Sequence, residues 1–199
     1  MGVSSRGIAQ SFHRDSIVVS SDTAAGAELV LPHTRSFASR IPTSHTRDAG
    51  KRGWRVGALA GVSDTSFSNT VTLAKYARDC GAFAIVLMTP YFFKVTQQDL
   101  VKYIRNLLAE IPLPVLLYNI PGCTKVAFEP ETLRQLGDEE KIIGIKDSSG
   151  DIECYKEIIQ LKEHRPDWVV FCGPDKMVLE SMLAGGDGGV NAGANIRPR

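Results

Sequence analysis

Short apolar runs recur at nearly constant intervals along most of this chain, and their spacing constrains its fold more than any other feature. The runs begin near residues 56, 83, 115, 142 and 169, so successive starts lie 27, 32, 27 and 27 residues apart, and a weaker run occupies 188–190. Each run is too short and too continuous for an amphipathic helix. Runs of this kind are typical of strands buried on both faces, as in a parallel sheet.

Helical patterns fill the intervals between these runs. Thr65 or Ser66 is placed to cap a first helix that ends near Gly81, and Thr96 followed by Asp99 resembles a capping box at the start of a second. Three shorter helices are predicted over 129–136, 152–161 and 176–183. Strands and helices that alternate with this period predict right-handed βα units, which build either a doubly wound sheet or a (β/α)8 TIM barrel.

Polar and turn-forming residues follow several predicted strands, at the ends where barrel enzymes assemble their sites. These segments are TPYFFK at 89–94, LYNIPG at 117–122, GIKDSSG at 144–150 and FCGPD at 171–175. The first strand is not followed by the Gly-x-Gly-x-x-Gly fingerprint of a dinucleotide-binding sheet. We therefore predict an α/β protein, an incomplete (β/α)8 TIM barrel with about six of eight βα units recognisable.

The first 55 residues have a different composition. They are rich in Ser, Thr and Arg and contain two apolar segments, 17–19 and 29–31. About ten residues separate the two segments, fewer than the dozen or more that a helical crossover needs. We expect residues 1–55 to form an irregular or disordered extension, with an organellar transit segment as the alternative, and residues 56–199 to form the barrel domain. The missing pair of units predicts open strand edges that expose backbone and apolar surface.

Composition argues against several classes of protein. With 199 residues, 43% of them hydrophobic, the chain can bury a core without disulfides or metal. A net charge of +1 shows no bias towards nucleic acid, and no window approaches the 18 apolar residues of a membrane span. The four cysteines form no Cys-x-x-Cys pair, and three of the four histidines lie in the first fifty residues. We therefore predict no metal site and no Ser-His site, and we expect a cytoplasmic protein that acts on small molecules.

Lys146 stands where the apolar part of the segment KIIGIKDSSG ends and its turn-forming part begins. Desolvating an ammonium group costs several kcal/mol unless the group is paired or gives up its proton. Lysines with a pKa lowered in this way form Schiff bases with carbonyl substrates. On this segment alone, Lys146 is either an ion-paired strand-end lysine or a nucleophile.

The quoted segments resemble those of the dihydrodipicolinate synthase and N-acetylneuraminate lyase family of class I aldolases, which are (β/α)8 barrels that act on pyruvate. YNIP and GIKDSSGD place Tyr118 and Lys146 28 residues apart, as in the family pattern. GVSDT at 61–65, TPY at 89–91 and GGVNAGAN at 188–195 agree with it. The resemblance runs from about Val56 to Arg199. It implies pyruvate and an aldehyde as substrates, a homo-oligomer, no cofactor, no metal, and neither nucleic acid nor membrane as a partner.

The resemblance also implies roles for five residues. Lys146 is the amine that condenses with the keto group of pyruvate, and Tyr118 is the proton shuttle over that adduct. Gly173 and Asn191 line the pyruvate pocket, with turn formation as the alternative for both. Tyr91 closes the floor of the site or packs at a subunit contact, and core packing is the alternative.

Three departures from the family pattern bear on activity. No segment like the family's Gly-Thr-Thr-Gly-Glu turn, which holds the pyruvate carboxylate, precedes Val56. Cys123 stands where the dihydrodipicolinate synthases carry a carboxylate-binding arginine, and Phe92 where they carry a second tyrosine. We therefore predict a Schiff-base lyase or aldolase that joins pyruvate to an aldehyde, with a sugar acid or hydroxy-oxo acid favoured over the lysine-pathway substrate. The alternative is a truncated, non-catalytic remnant of the family.

Overall fold

The computed structural model describes the backbone of residues 16–20, 27–30, 47–48, 55–56 and 58–195, and the side chains of residues 59–193. The predictions of an irregular or disordered extension over 1–55, and of an organellar transit segment, fall for the most part on residues outside this described part. They stay predictions.

Six parallel strands form most of the sheet. In chain order the described strands are β1 (Ser16–Ser20), β2 (Ala27–Val30), β3 (Arg47–Asp48), β4 (Arg55–Val56), β5 (Ala58–Gly61), β6 (Ala84–Met88), β7 (Val115–Asn119), β8 (Ile142–Asp147), β9 (Val169–Cys172) and β10 (Gly188–Asn191). From β5 to β10, each strand pairs in parallel with the next. The predicted partial TIM barrel with six recognisable units is confirmed.

The two N-terminal strands β1 and β2 lie between β10 and β5. β1 pairs with β2 in antiparallel fashion and with β5 in parallel, while β2 pairs antiparallel with β10, so the eight strands form a closed barrel. β3 and β4 form a separate two-stranded sheet. The expected open strand edges are therefore not found in the described chain. β1 and β2 are too close along the chain for a helical crossover between parallel strands, and they pair in antiparallel fashion.

Helices follow the parallel strands and cover the outside of the barrel. They are α1 (Phe67–Asp79), α2 (Gln97–Glu110), α3 (Pro121–Thr124), α4 (Pro130–Leu136), α5 (Ile152–Gln160) and α6 (Val178–Leu183). The predicted caps are confirmed: Ser66 accepts from the Asn69 backbone N–H at 3.4 Å and Thr96 from that of Asp99 at 3.1 Å. None of the described helices is both long enough and apolar enough to cross a membrane.

The core has two layers, as expected for a small barrel whose strand residues alternate between the two faces. The outer layer lies between the sheet and the helices and includes Leu117, Ile145 and Val170. The inner layer fills the barrel and consists of Leu59, Phe83, Ala84, Val86, Leu116, Val169, Phe171 and Val190. Because strand side chains alternate between these two layers, the layer of its neighbours decides whether a polar side chain at a strand end points into the barrel mouth.

Gly144 sits at an irregularity that sets the register of β8. Leu116 is paired with Gly144, although the pairing one residue earlier would predict Ile143. The φ angle of Gly144 is +148°, and a Cβ at this position would lie 2.0 Å from the Val169 carbonyl oxygen. A residue without a side chain is therefore required where β8 approaches β9. The shift moves every later residue of β8, Lys146 included, by one position relative to β7.

Candidate active site

Lys146 and Tyr118 face each other on neighbouring strands near the carboxyl-terminal end of the barrel. Tyr118 on β7 is paired with Lys146 on β8. Both side chains point into the barrel, because they alternate with Leu117 and Ile145, which belong to the outer layer. The Lys146 Nζ atom lies 4.1 Å from the centroid of the Tyr118 ring. The structure thus brings together the two residues that were predicted to be catalytic.

The amine of Lys146 is buried among weakly polar neighbours. Lys146 is 7% exposed, and its partner on the other side, across the pairing with β9, is the buried Phe171. None of the salt bridges among the described side chains includes Lys146. Of the two interpretations that the segment left open, an ion-paired lysine has no support in this part of the chain. A buried amine beside a phenol is an arrangement suited to a nucleophilic lysine.

The hydroxyl group of Ser148 lies beside the phenol of Tyr118. Ser148 follows Lys146 by two residues and therefore points to the same side of the strand. Its Oγ donates to the Tyr118 hydroxyl oxygen at 3.5 Å, which is long for an O–H···O hydrogen bond. Gly173 makes room for this hydroxyl, because a Cβ on Gly173 would lie 1.8 Å from the Ser148 Oγ. Gly173, a predicted site residue, is thus placed against the side chain that contacts Tyr118.

A buried polar network lies behind Tyr118 and Lys146, on the outer face of the same two strands. Asn119 donates from Nδ2 to Asp147 Oδ1 at 2.7 Å and accepts from the Phe128 backbone N–H at 3.0 Å. Asp147 also accepts from the backbone N–H and the hydroxyl of Ser149, at 3.2 and 2.8 Å. Asn119 and Asp147 are 0% exposed. Burial raises the pKa of the Asp147 carboxyl, and the hydrogen bonds from Ser149 and Asn119 oppose part of this rise.

This network fastens the strand ends that carry the site. Asn119 and Asp147 directly follow Tyr118 and Lys146, so their hydrogen bond joins β7 to β8 at the level of these two residues. Asn119, Asp147 and Ser148 lie in the segments that carry the family resemblance, but no role was predicted for them. The signal was present in strand alternation, which sends Ser148 to the same face as Lys146 and Asp147 to the opposite one.

Asn191 lies on β10 beside the end of β9, and its amide group is engaged by backbone. Its Nδ2 donates to the carbonyl oxygens of Cys172 and Gly173, at 3.3 and 2.7 Å. A Cβ on Gly189 would lie 1.9 Å from the Asn191 Oδ1, so the glycine leaves room for the amide. Asn191 therefore ties β10 to the segment that contains Gly173. Its predicted contact with pyruvate stays a prediction.

Tyr91 lies in a pocket that neither Lys146 nor Tyr118 lines. The pocket follows the end of β6 and is largely aromatic, with Phe92 86% exposed and Phe93 74% exposed. Its lining residues are Thr65, Pro90, Tyr91, Phe92, Phe93, Val95, Asp99 and Tyr103. The predicted role of Tyr91, at the floor of the site or at a subunit contact, stays a prediction.

The connection after β7 folds as the short helix α3 and carries an exposed thiol. Cys123 occupies the place of the expected arginine and is exposed to solvent. Lys125 ends the helix in the left-handed conformation, with φ of +63°, and its Nζ donates to the Gly122 carbonyl oxygen at 2.6 Å. The nearest lysine along the chain is therefore turned back on its own loop and offers no replacement for the guanidinium group.

The arrangement is suited to amine–carbonyl chemistry. It combines a buried amine, a phenol near it and a serine hydroxyl next to the phenol. Burial raises the pKa of the Cys154 thiol to about 11 and also raises the pKa of Cys172, so neither is a ready nucleophile near neutral pH. Within the described residues, no group of three or more His, Cys, Asp or Glu side chains could hold a metal ion.

Curated relatives match almost three quarters of this chain. The 4-hydroxy-tetrahydrodipicolinate synthase of Pseudomonas aeruginosa is 37% identical over 145 residues, which cover 73% of this chain and 49% of the relative. A probable 2-dehydro-3-deoxy-D-pentonate aldolase of Escherichia coli is 40% identical over 146 residues, which cover 72% of this chain and 48% of the relative. The chain spans about half the length of the curated relatives it matches.

Solved structures agree with the sequence relatives. The Escherichia coli prophage protein YagE, a dihydrodipicolinic acid synthase family member solved in complex with pyruvate, has a TM-score of 0.69 and 34% identity to this chain. The match covers 72% of this chain and 49% of that protein. The profile of the dihydrodipicolinate synthetase family matches residues 45–199, which contain β5 to β10 and all of the candidate site residues described above. The chain therefore belongs to the dihydrodipicolinate synthetase family.

Proposed function

We propose that this chain is a Schiff-base-forming lyase or aldolase that reversibly joins pyruvate to an aldehyde, with Lys146 as the nucleophile and Tyr118 as the acid–base group. One observation carries the proposal. The Lys146 Nζ, on a side chain 7% exposed and without an ion pair in the described part of the chain, lies 4.1 Å from the centre of the Tyr118 ring. The complex of YagE with pyruvate supports pyruvate as the substrate that forms the Schiff base.

The first half of the reaction forms an enamine. The neutral Lys146 amine attacks C2 of pyruvate, and transfer of one proton from nitrogen to oxygen gives a carbinolamine. Tyr118 then donates its proton to the carbinolamine hydroxyl, which leaves as water, so that an iminium ion and a phenolate remain. The phenolate removes a proton from the methyl carbon C3. The C–H electron pair moves into the iminium system, and the result is a neutral enamine and a regenerated phenol.

The second half forms the C–C bond and frees the lysine. C3 of the enamine attacks the aldehyde carbon while the phenol gives its proton to the aldehyde oxygen. Water then adds to the new iminium carbon and gives a proton to the Tyr118 phenolate. The carbinolamine that results transfers the proton of its hydroxyl to nitrogen as the C–N bond breaks, which releases the product and the Lys146 amine. Cleavage follows the same steps in reverse. The apolar inner layer of the barrel, which includes Phe171 beside Lys146, limits the access of solvent protons to the enamine.

We propose a sugar acid or hydroxy-oxo acid as the product rather than the lysine-pathway compound. The exposed thiol of Cys123 cannot form the two parallel hydrogen bonds that a guanidinium gives a carboxylate. Lys125 is held by its own loop. The E. coli relative, named as a probable 2-dehydro-3-deoxy-D-pentonate aldolase, supports this choice.

We also propose a cytoplasmic homo-oligomer. The four cysteines are all free thiols, as expected in a reducing compartment. The adjacent rings of Phe92 and Phe93 are largely exposed and contact each other edge to face, 4.9 Å between centroids. Two neighbouring exposed aromatic side chains favour a protein contact at the Tyr91 pocket. A dependence of sedimentation on protein concentration, lost in Phe92→Ser, tests this assignment.

The test of the catalytic proposal is borohydride reduction in the presence of pyruvate, followed by intact mass measurement. The native chain is expected to gain the mass of one reduced pyruvate. Lys146→Met, which keeps the length of the side chain and removes the amine, is expected to gain none. Lys125→Gln is the matched control, a lysine near the same rim, and is expected to react as the native chain does. An unchanged native mass supports the non-catalytic remnant instead.

A further inference from the structure

We infer that Ser148 is the positioning residue for the Tyr118 hydroxyl and that it stabilises the phenolate formed during proton transfer. This inference rests on the proposed function. Among the described residues, Ser148 is the one that forms a hydrogen bond to the Tyr118 hydroxyl. Ser148 stands two residues after Lys146 and takes no part in the mechanism proposed above.

The backbone fixes Ser148 at this place. The Ser148 N–H donates to the Asn119 carbonyl oxygen at 2.7 Å, which continues the pairing of β8 with β7 one residue beyond the strand. The Gly173 N–H donates to the Asp147 carbonyl oxygen at 2.7 Å and brings Gly173 alongside. The serine side chain then occupies the space that a Cβ on Gly173 would fill. Two backbone hydrogen bonds and one missing side chain thus direct this hydroxyl towards the phenol.

The chemistry requires a donor at this position. When Tyr118 has given its proton to the leaving water, its oxygen carries a full negative charge inside the barrel. A hydroxyl that donates to an ionised oxygen forms a shorter and stronger bond than one between neutral groups. Catalytic hydrogen bonds that are long in the free protein shorten in the reacting complex. The 3.5 Å separation between the Ser148 and Tyr118 oxygens therefore closes when the phenolate forms.

The test separates formation of the Schiff base from the proton transfer that follows it. Exchange of the pyruvate methyl protons in deuterium oxide, followed by NMR, measures removal of the C3 proton without any aldehyde. Borohydride trapping measures the adduct in the same samples. The Ser148→Ala variant is expected to form the adduct to the native extent. Its rate of methyl-proton exchange is expected to fall about tenfold, which is the effect of losing one hydrogen bond made in the transition state. Ser148→Thr, which keeps the hydroxyl, is expected to recover most of the rate.

A double-mutant cycle distinguishes positioning from general support of the fold. In the Tyr118→Phe background there is no phenol to assist, so adding Ser148→Ala is expected to change the exchange rate less than twofold. Ser68→Ala is the matched control: it removes a serine hydroxyl from the exposed surface of α1, where that hydroxyl contacts the Ser66 hydroxyl at 3.0 Å. This control is expected to leave the exchange rate per adduct unchanged.

The outcomes separate the two proposals. If the native chain gives no adduct, the proposed function fails, whatever the serine variants do. If the native chain gives the adduct and exchanges, and Ser148→Ala exchanges at the native rate, the role of Ser148 is overturned while the proposed function stands. An equal loss on adding Ser148→Ala with and without the phenol also overturns it, because a support of the fold acts independently of Tyr118.

Discussion

Replacing Asn119 by alanine tests whether the network behind the site holds β7 and β8 together. The substitution removes a 2.7 Å hydrogen bond to a carboxylate and a 3.0 Å bond from the Phe128 backbone N–H, all between buried groups. It leaves Asp147 and the Phe128 N–H each short of one partner. Leaving one buried polar group without its partner costs about 1–3 kcal/mol, so leaving two lowers the free energy of unfolding by about 2–6 kcal/mol. That is a large share of the roughly 5–15 kcal/mol of a typical domain.

Urea unfolding followed by circular dichroism measures this loss. Asn69→Ala is the matched control, because the Asn69 amide also donates to an aspartate, Asp64, at 3.4 Å but on the exposed surface. The control is expected to change the free energy of unfolding by less than about 0.5 kcal/mol. A loss below about 1 kcal/mol in Asn119→Ala would refute the reasoning, since the buried pair would then contribute no more than a surface contact.

Three further outcomes are expected. Because burial raises the pKa of Asp147, its contribution to stability is full below its unfolded pKa, near pH 4, and is lost as pH rises through the folded value. The free-energy difference between Asp147→Asn and the native chain, from urea unfolding at several pH values, should therefore move in favour of the variant as pH rises; a difference independent of pH contradicts this. Gly144→Ala places a Cβ 2.0 Å from a backbone oxygen and should lower the melting temperature strongly or prevent folding, whereas Gly122→Ala, with nothing within 4 Å, should melt as the native chain does. Iodoacetamide at about pH 8 should label the exposed Cys123 at least tenfold faster than Cys154, whose pKa is raised to about 11, and equal rates in peptide mass spectra argue against that burial.

Much of the fold could be predicted because apolar runs report burial directly. The run predicted over 142–145 lies within β8 (Ile142–Asp147), and the helix predicted over 129–136 corresponds to α4 (Pro130–Leu136). The end of β8 was harder, since Lys146 and Asp147 continue the strand although charged residues usually mark its end. The helix predicted over 176–183 begins later, at Val178, because a 3-10 turn over Asp175–Met177 follows Pro174.

The predicted catalytic pair depends on a detail that the sequence does not show. With an uninterrupted register from the start of β8, Tyr118 would lie opposite Ile145, and Lys146 would lie opposite Asn119. A shift of one residue sends each side chain to the other face of a strand. The irregularity at Gly144 supplies that shift and pairs Tyr118 with Lys146. Motif spacing identified the two residues, but strand register and one glycine bring them together.

The hydrogen bonds of the site were beyond sequence reasoning for a related reason. The contact between Ser148 and Tyr118 requires both the register of β8 on β7 and the approach of Gly173 from β9. The bond between Asn119 and Asp147 requires the same register on the outer face. Both hydrogen bonds join residues on different strands, 30 and 28 residues apart in the chain. The apolar and polar pattern of one strand predicts which face a side chain takes, but not which residue of the neighbouring strand it meets.

Mapping the position of a trapped pyruvate tests the central claim most directly. The native chain is incubated with pyruvate labelled with carbon-13 at C2, reduced with borohydride, digested and analysed by tandem mass spectrometry. We predict a single labelled lysine, Lys146, because it is buried and its amine lies beside the Tyr118 ring. Label on the exposed Lys125 instead, or on no lysine while the protein is folded, would contradict it.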